Sequence, residues 1–316
     1  MKNFSNFGVM IDCSRNAVPN KEGLKKFIKI ISDMGYNFAM LYTEDTYEVE
    51  NEPFFGYKRG RYSKNELKEI DSYARSVGVE LIPCIQTLAH LNAPLHWDEY
   101  RPIFDIDDII MVDEERTYEL IENMFRSLAE SYTSRKVHIG MDEAHHVGLG
   151  RYLDAHGYSN RYELLIRHLN KVCDIAKKYG FEPMMWSDMF YCLASGGSYH
   201  RPVESFPDEV KNSMPKELSL VYWDYYRENY EHYSNMLESH KRLTDKIWFA
   251  GGAWCWGDFA PHSRLSMKRN EISIKACLDK GIKNVILTMW GDNGGECTYF
   301  SVLPALMHAV AIAEGM

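Results

Sequence analysis

The stretch His138-Ile139-Gly140-Met141-Asp142-Glu143 sets two carboxylates side by side, at the end of an apolar, strand-like run and just before a glycine-rich turn at Gly148 and Gly150. Adjacent acids at the end of a buried strand repel each other and lose hydration, and both effects raise the pKa of at least one of them. A carboxyl raised in this way holds a proton near neutral pH and can pass it to a leaving group. The competing reading is a solvated Asp-Glu step capping a helix, where acids favour the N-terminal end. Side chains alternate along a strand, so both acids reach one pocket only if regular pairing stops at about Met141, which Gly140 permits. His90, His138, His145 and His146 are metal-ligating types, but no HExxH or comparable spacing joins them to Asp142, so no metal is expected. His90 and His138 read instead as partners that tune the carboxylates.

The elements that would hold such a pair are legible as apolar runs. Eight occur, at residues 7–11, 38–41, 80–85, 137–141, 183–186, 218–222, 247–250 and 285–289. Amphipathic helical patterns at 20–34, 63–77, 115–132, 160–179, 230–243, 266–278 and 300–313 follow seven of the eight. The second helix opens on a capping box, Ser63 and Glu66. Residues 187–217 read as irregular, with only 206–212 helical. Repeated β-then-α units with near-continuous apolar strands imply a parallel sheet covered by helices, and eight of them favour a closed (β/α)8 barrel. Neither GxGxxG after the first strand nor GxxxxGK[ST] is present, so an open nucleotide-binding sheet lacks its marker.

In such barrels the active site lies at the C-terminal strand ends. The runs end in Asp12-Cys-Ser-Arg15, Tyr42-Thr-Glu44-Asp45, Gln86-Thr-Leu-Ala-His90, Asp142-Glu143, Trp186-Ser-Asp188, Trp223-Asp-Tyr225-Tyr226, Trp254-Cys-Trp256 and Trp290-Gly-Asp292 with Glu296 beyond. Five of the seven Trp fall there. Aromatic walls with carboxylates and an Arg describe a carbohydrate pocket, since sugar rings pack C–H faces on indole and offer hydroxyls to polar side chains. Arg15 has a second reading, as an ion-pair partner of Asp12 or Asp45, and Asp188 reads as a support for the Trp186 loop.

His138-Ile-Gly-Met-Asp142-Glu143 resembles the His-x-Gly-x-Asp-Glu signature of family 20 glycoside hydrolases, the β-N-acetylhexosaminidases. The similarity runs from Asp12-Cys-Ser-Arg15 to Glu296, and Asp142-Glu-Ala-His145 followed by Gly148-Leu-Gly-Arg-Tyr152 is similar to the bacterial branch. One catalytic barrel over residues 1–316 is expected, and in a departure from the family pattern no separate N-terminal α/β domain is expected, since the first strand starts at Phe7. The resemblance implies exo-acting, retaining hydrolysis of terminal N-acetyl-β-hexosamine, GlcNAc or GalNAc, in which the substrate's own 2-acetamido group is the nucleophile. On that pattern Glu143 is the acid, Asp142 orients the acetamido group, and Tyr225, or nearly as well Tyr226, binds its oxygen. Trp186, Trp223, Trp254 and Trp290 would enclose the sugar. Arg15 and Glu296, with Asp292 as a further candidate, would hold ring hydroxyls, and His90 stands at the same pocket. No cofactor is implied. Two alternatives remain: a non-catalytic sugar-binding barrel, and a retaining glycosidase in which Glu296 is the nucleophile.

A net charge of −9 and a pI near 5.8 give no basic stripe for nucleic acid. No apolar run approaches the length of about 20 residues that spans a bilayer, and no signal peptide is legible at the N-terminus. Seven scattered Cys without a CxxC pair suit reduced thiols in the cytoplasm. A carbohydrate partner and a homodimer complete the expectations.

Overall fold

The apolar runs pair in parallel, each with the next and the last with the first, which closes a barrel. The structure is a computed structural model and describes residues 2–194 and 198–316. The strands are β1 (Asn6–Asp12), β2 (Phe38–Tyr42), β3 (Glu80–Cys84), β4 (Lys136–His138), β5 (Glu182–Trp186), β6 (Ser219–Trp223), β7 (Ile247–Gly252) and β8 (Asn284–Met289). Beside short helical segments at Asn92–Leu95 and Arg151–His156, the helices are α1 (Lys21–Met34), α2 (Lys64–Ser76), α3 (Glu115–Ser131), α4 (Arg161–Lys178), α5 (Asp188–Ala194), α6 (Asp208–Ser213), α7 (Tyr230–Lys241), α8 (Ser263–Asp279) and α9 (Leu303–Glu314). Among the described residues no helix is long and apolar enough to cross a membrane.

Both faces of the strands are buried, which is why they read as continuous apolar runs. Outward-facing Phe7, Val9, Ile11, Ala39, Leu41 and Leu81 join the helices in one large cluster. Inward-facing Met10, Phe38, Met40, Tyr42, Ile82, Met184, Trp186, Val221 and Trp248 fill the barrel as a second. Helix α1 shows the local logic. Its Asn20 side chain accepts the Gly23 N–H, Leu24, Phe27, Ile28 and Ile31 bury one face, and Gly35 at φ 98° ends it. Burying side chains of that size stabilises by about 1.5–3 kcal/mol each. The expected capping box of α2 is formed, with Ser63 and Glu66 each accepting the other's backbone N–H.

Two expectations need correction. Strand β4 ends at His138 rather than Met141, because Gly140 and Met141 both take φ 70° and leave the ladder. It pairs with β3 only through Cys84 and His138. The stretch after β5 is not irregular at its start: Asp188–Ala194 is helical, with Met189, Phe190 and Tyr191 buried. Residues 195–197 of that stretch lie outside the described residues. The long β3–α3 connection also carries an antiparallel hairpin, Phe104–Ile106 with Ile109–Ile110, that the apolar pattern did not reveal. Its buried Asp105 accepts the Gly148 and Tyr152 N–H groups, at 2.9 and 2.8 Å, and so ties down the loop that follows the two acids.

Candidate active site

At the C-terminal mouth of the barrel a cavity opens between the strand-end loops. Asp142 and Glu143 both reach it, together with Arg15, His90, Asp292, Tyr225 and Tyr226. The adjacent acids can share it because the backbone there is not extended: Gly140, Met141 and Glu143 all have positive φ, at 70°, 70° and 54°. A Cβ on Gly140 would lie 2.0 Å from Gln86 Oε1, so only glycine leaves the space this turn requires. His90, across the cavity, has φ 56°. A non-glycine residue in this region stores about 1–3 kcal/mol of strain, and such residues cluster where function demands a fixed geometry.

Asp142 is held by Gln86 and His90. Gln86 Nε2 donates to its Oδ1 at 2.8 Å and to the Tyr42 hydroxyl at 2.9 Å, while Gln86 Oε1 accepts the Met141 N–H at 3.1 Å. His90 Nε2 lies 3.2 Å from Asp142 Oδ2 and 3.7 Å from Glu143 Oε2, and its Nδ1 lies 3.7 Å from Asp108. Burial opposes ionisation of Asp142, but His90 and Gln86 outweigh it and hold the carboxyl below its usual range. For His90 burial is likewise overcome, by Asp142, Glu44 and Asp108, and its pKa rises to about 10. Glu143 goes the other way: burial first, then the Asp142 charge, raises its pKa. Its side chain is 53% exposed and open to solvent. One member of the pair is thus held ionised and the other favours its proton.

The buried Asp188 accepts the Glu143 N–H at 2.8 Å, so it supports the Glu143 turn rather than the Trp186 loop. Burial and the Asp142 charge push its pKa up to about 8. His138 is wholly buried, accepts the Gly140 N–H on Nδ1 at 3.1 Å, and packs its ring 4.3 Å from Trp186. Burial lowers its pKa to about 3, so it is a neutral brace for the turn.

Trp186, Trp223 and Trp290 line the cavity. Trp186 forms the buried floor, with Trp290 at 6.0 Å, and Tyr225 stacks on Trp223 at 5.5 Å. Tyr225 is buried in the wall, its hydroxyl facing Trp290 and Thr288, whereas Tyr226 is 47% exposed at the rim. Trp254 does not line the cavity. It stacks behind Trp256 at 4.4 Å and donates to the Trp256 carbonyl, and Trp256 forms the wall in its place. A Cβ on Gly252 would fall 2.9 Å from Trp256 and 3.2 Å from Tyr225, so that glycine makes room for both rings. Glu296 is exposed and also lies outside the lining, because the turn through Gly294 and Gly295 carries the chain away after Asp292.

On the opposite rim Arg15 meets Glu44 at 3.2 Å, Asp12 at 3.4 Å and Asp292 at 3.5 Å. The ion-pair reading of Arg15 therefore holds for Asp12 and not for Asp45, which pairs with Arg59. Asp12 also accepts the Gly291 N–H at 2.7 Å, joining the β1 and β8 loops. Burial pushes the Glu44 pKa up to about 7 against the pull of Arg15 and His90. Tyr42, Gln86, Glu44 and Trp256 were not among the expected site residues, although each lies at or just after a strand end and the same rule reaches them.

The description of glycosyl hydrolase family 20, catalytic domain, matches residues 4–237. The chain belongs to glycosyl hydrolase family 20. This family 20 barrel is similar to hexosaminidase D of Bos taurus, 23% identical over 254 residues that cover 77% of this chain and 68% of that protein. It is also similar to hexosaminidase D of Homo sapiens, 22% identical, covering 67% of this chain and 43% of the other. Among solved structures, the β-N-acetylhexosaminidase of Bacteroides fragilis superposes with a TM-score of 0.73 at 17% identity, over 98% of this chain and 65% of that one. The exo-β-N-acetylglucosaminidase of Vibrio harveyi, in complex with N-acetylglucosamine, gives 0.72 at 16%, over 98% and 54%. These superpositions establish the family 20 (β/α)8 fold, and the chain spans about half to two thirds of the solved chains it matches.

Proposed function

We propose that the chain is an exo-acting β-N-acetylhexosaminidase that removes terminal N-acetyl-β-hexosamine with retention, using the substrate's acetamido group as nucleophile. The observation that carries this reading is the split of the acid pair, with Asp142 held ionised by His90 and Gln86 beside a Glu143 that favours its proton, in one aromatic-walled cavity. Glu143 protonates the glycosidic oxygen as that bond breaks. The acetamido carbonyl oxygen attacks the anomeric carbon to give an oxazolinium ion, and Asp142 accepts the acetamido N–H and offsets the positive charge. Glu143, now ionised, then takes a proton from the water that opens the ring. Trp186, Trp223 and Trp290 enclose the sugar and its acetyl group, Tyr225 donates to the acetamido oxygen, and Arg15 and Asp292 meet ring hydroxyls.

A retaining mechanism with Glu296 as nucleophile is disfavoured by the placement of that residue on the exposed side of the β8 loop. The test compares an aryl N-acetyl-β-glucosaminide with the plain aryl β-glucoside. Hydrolysis of the first alone is expected, along with strong inhibition by an N-acetyl-thiazoline analogue. Comparable rates on both substrates would overturn substrate assistance. A cytoplasmic location belongs to the same proposal and is supported by the seven free cysteines. So does a homodimer, which sedimentation tests.

A further inference from the structure

Behind the wall that carries Trp223 and Tyr225, three side chains from three separate elements converge. Asp224 is the residue between those two wall aromatics, His232 lies in the first turn of α7, and His200 comes from the connection that precedes β6. One nitrogen of each imidazole and one carboxylate oxygen all lie within 4.8 Å of one another. His232 Nε2 is 3.0 Å from Asp224 Oδ2, and His200 Nδ1 is 3.8 Å from the same oxygen. Two ligands of a tetrahedral zinc, each bonded at about 2.0–2.1 Å, stand roughly 3.3 Å apart, so small side-chain adjustments would bring all three onto one ion.

The surroundings orient this set from outside. Asp224 is buried, and its Oδ1 accepts the backbone N–H groups of Tyr226 and Arg227, at 2.9 and 3.3 Å, which turns Oδ2 toward the two imidazoles. The Tyr222 hydroxyl donates to that Oδ2 at 3.1 Å. His200 Nδ1 is buried and has no hydrogen-bond partner. Its 3.8 Å separation from Asp224 is too long for a hydrogen bond, which leaves a polar nitrogen aimed at a carboxylate with a gap between them. A cation bridging the two would satisfy both. The imidazoles are 29% and 18% exposed, so solvent can enter and supply the remaining coordination position.

We propose that His200, Asp224 and His232 form a divalent-cation site of the zinc type. Two imidazoles and one carboxylate select zinc and its late first-row neighbours over magnesium and calcium, which want all-oxygen shells. The ion is not part of the hydrolytic chemistry and holds no substrate atom. It fastens the His200 segment and the start of α7 to the strand end that presents Trp223 and Tyr225, and so stiffens one wall of the sugar pocket.

The experiment uses tag-free, chelator-treated, dialysed full-length chain, titrated calorimetrically with zinc chloride and, in parallel, magnesium chloride. One zinc per chain is expected, with no magnesium uptake and a melting temperature that rises with zinc. His200→Ala and His232→Ala are each expected to weaken zinc uptake by at least about tenfold and to abolish the rise, while their metal-free melts report folding. Substitution with cobalt gives a readout that needs no variant: a tetrahedral visible absorption band is expected for the wild-type chain. Absence of zinc uptake, uptake unaltered in both variants, or an octahedral cobalt spectrum each overturns the proposal.

Discussion

The two sides of the sugar cavity are built on different principles. On the β3–β4 side, Asp142 is gripped by Gln86 and His90 over a backbone whose positive φ values leave no slack. On the β1–β8 side, Arg15 stands among Asp12, Glu44 and Asp292 at 3.2–3.5 Å, in a partly solvated ring of opposed charges. On the proposed function, the first side would fix where a proton and a positive charge must be, and the second would meet hydroxyls, whose arrangement differs between sugars. Chemistry would thus fall to the constrained side and selectivity to the side of adjustable charges.

The largest effect expected from breaking this division is at Glu143. Glu143→Gln should lower kcat by about 10²–10⁴-fold on a substrate with a poor leaving group, and far less on a dinitrophenyl glycoside that needs no proton. Equal losses on the two substrates, measured at saturation, would remove Glu143 from the acid role. On the other side, Arg15→Ala removes charged hydrogen bonds of about 1.5–3 kcal/mol, which corresponds to a fall of roughly 10- to 150-fold in kcat/KM. Most of that fall is expected in KM. A loss confined to kcat would place Arg15 on the reacting side.

Gly140→Ala tests the backbone itself. The added methyl meets Gln86 and the strained φ, so an unfolding free energy lower by about 1–3 kcal/mol is expected in denaturant titration. An unchanged midpoint would mean that the turn is not constrained. A pH dependence tests the His90–Asp142 pairing. His90 is raised from 6.5 to about 10 in the folded chain, so its contribution to stability is complete below pH 6.5 and is lost as pH rises toward 10. Melting curves of wild type and His90→Asn should therefore converge across that range, and a constant gap would contradict the His90–Asp142 pairing.

The barrel was legible because its strands are buried on both faces and its helices carry their own caps, as at Asn20 and Ser63. The strand-end rule likewise reached Arg15, Asp142, Glu143 and Trp290, since each lies within a few residues of the end of an apolar run. It failed where loop geometry rather than position decides. Trp254 and Trp256 are two residues apart, and stacking puts one behind the other. Glu296 follows a pair of glycines at positive φ whose direction no periodicity encodes. Gln86 was overlooked for a different reason: its role arises from Gly140, 54 positions away, which leaves the space its amide fills.

The crowding of indoles at one end of the barrel makes the chain its own optical probe. Trp186, Trp223, Trp256 and Trp290 border the cavity, Trp254 lies against Trp256, and only Trp97 and Trp248 stand apart from it. On the proposed function, a sugar entering the pocket would change the surroundings of several of these indoles, so occupancy could be followed from the unlabelled protein's own fluorescence.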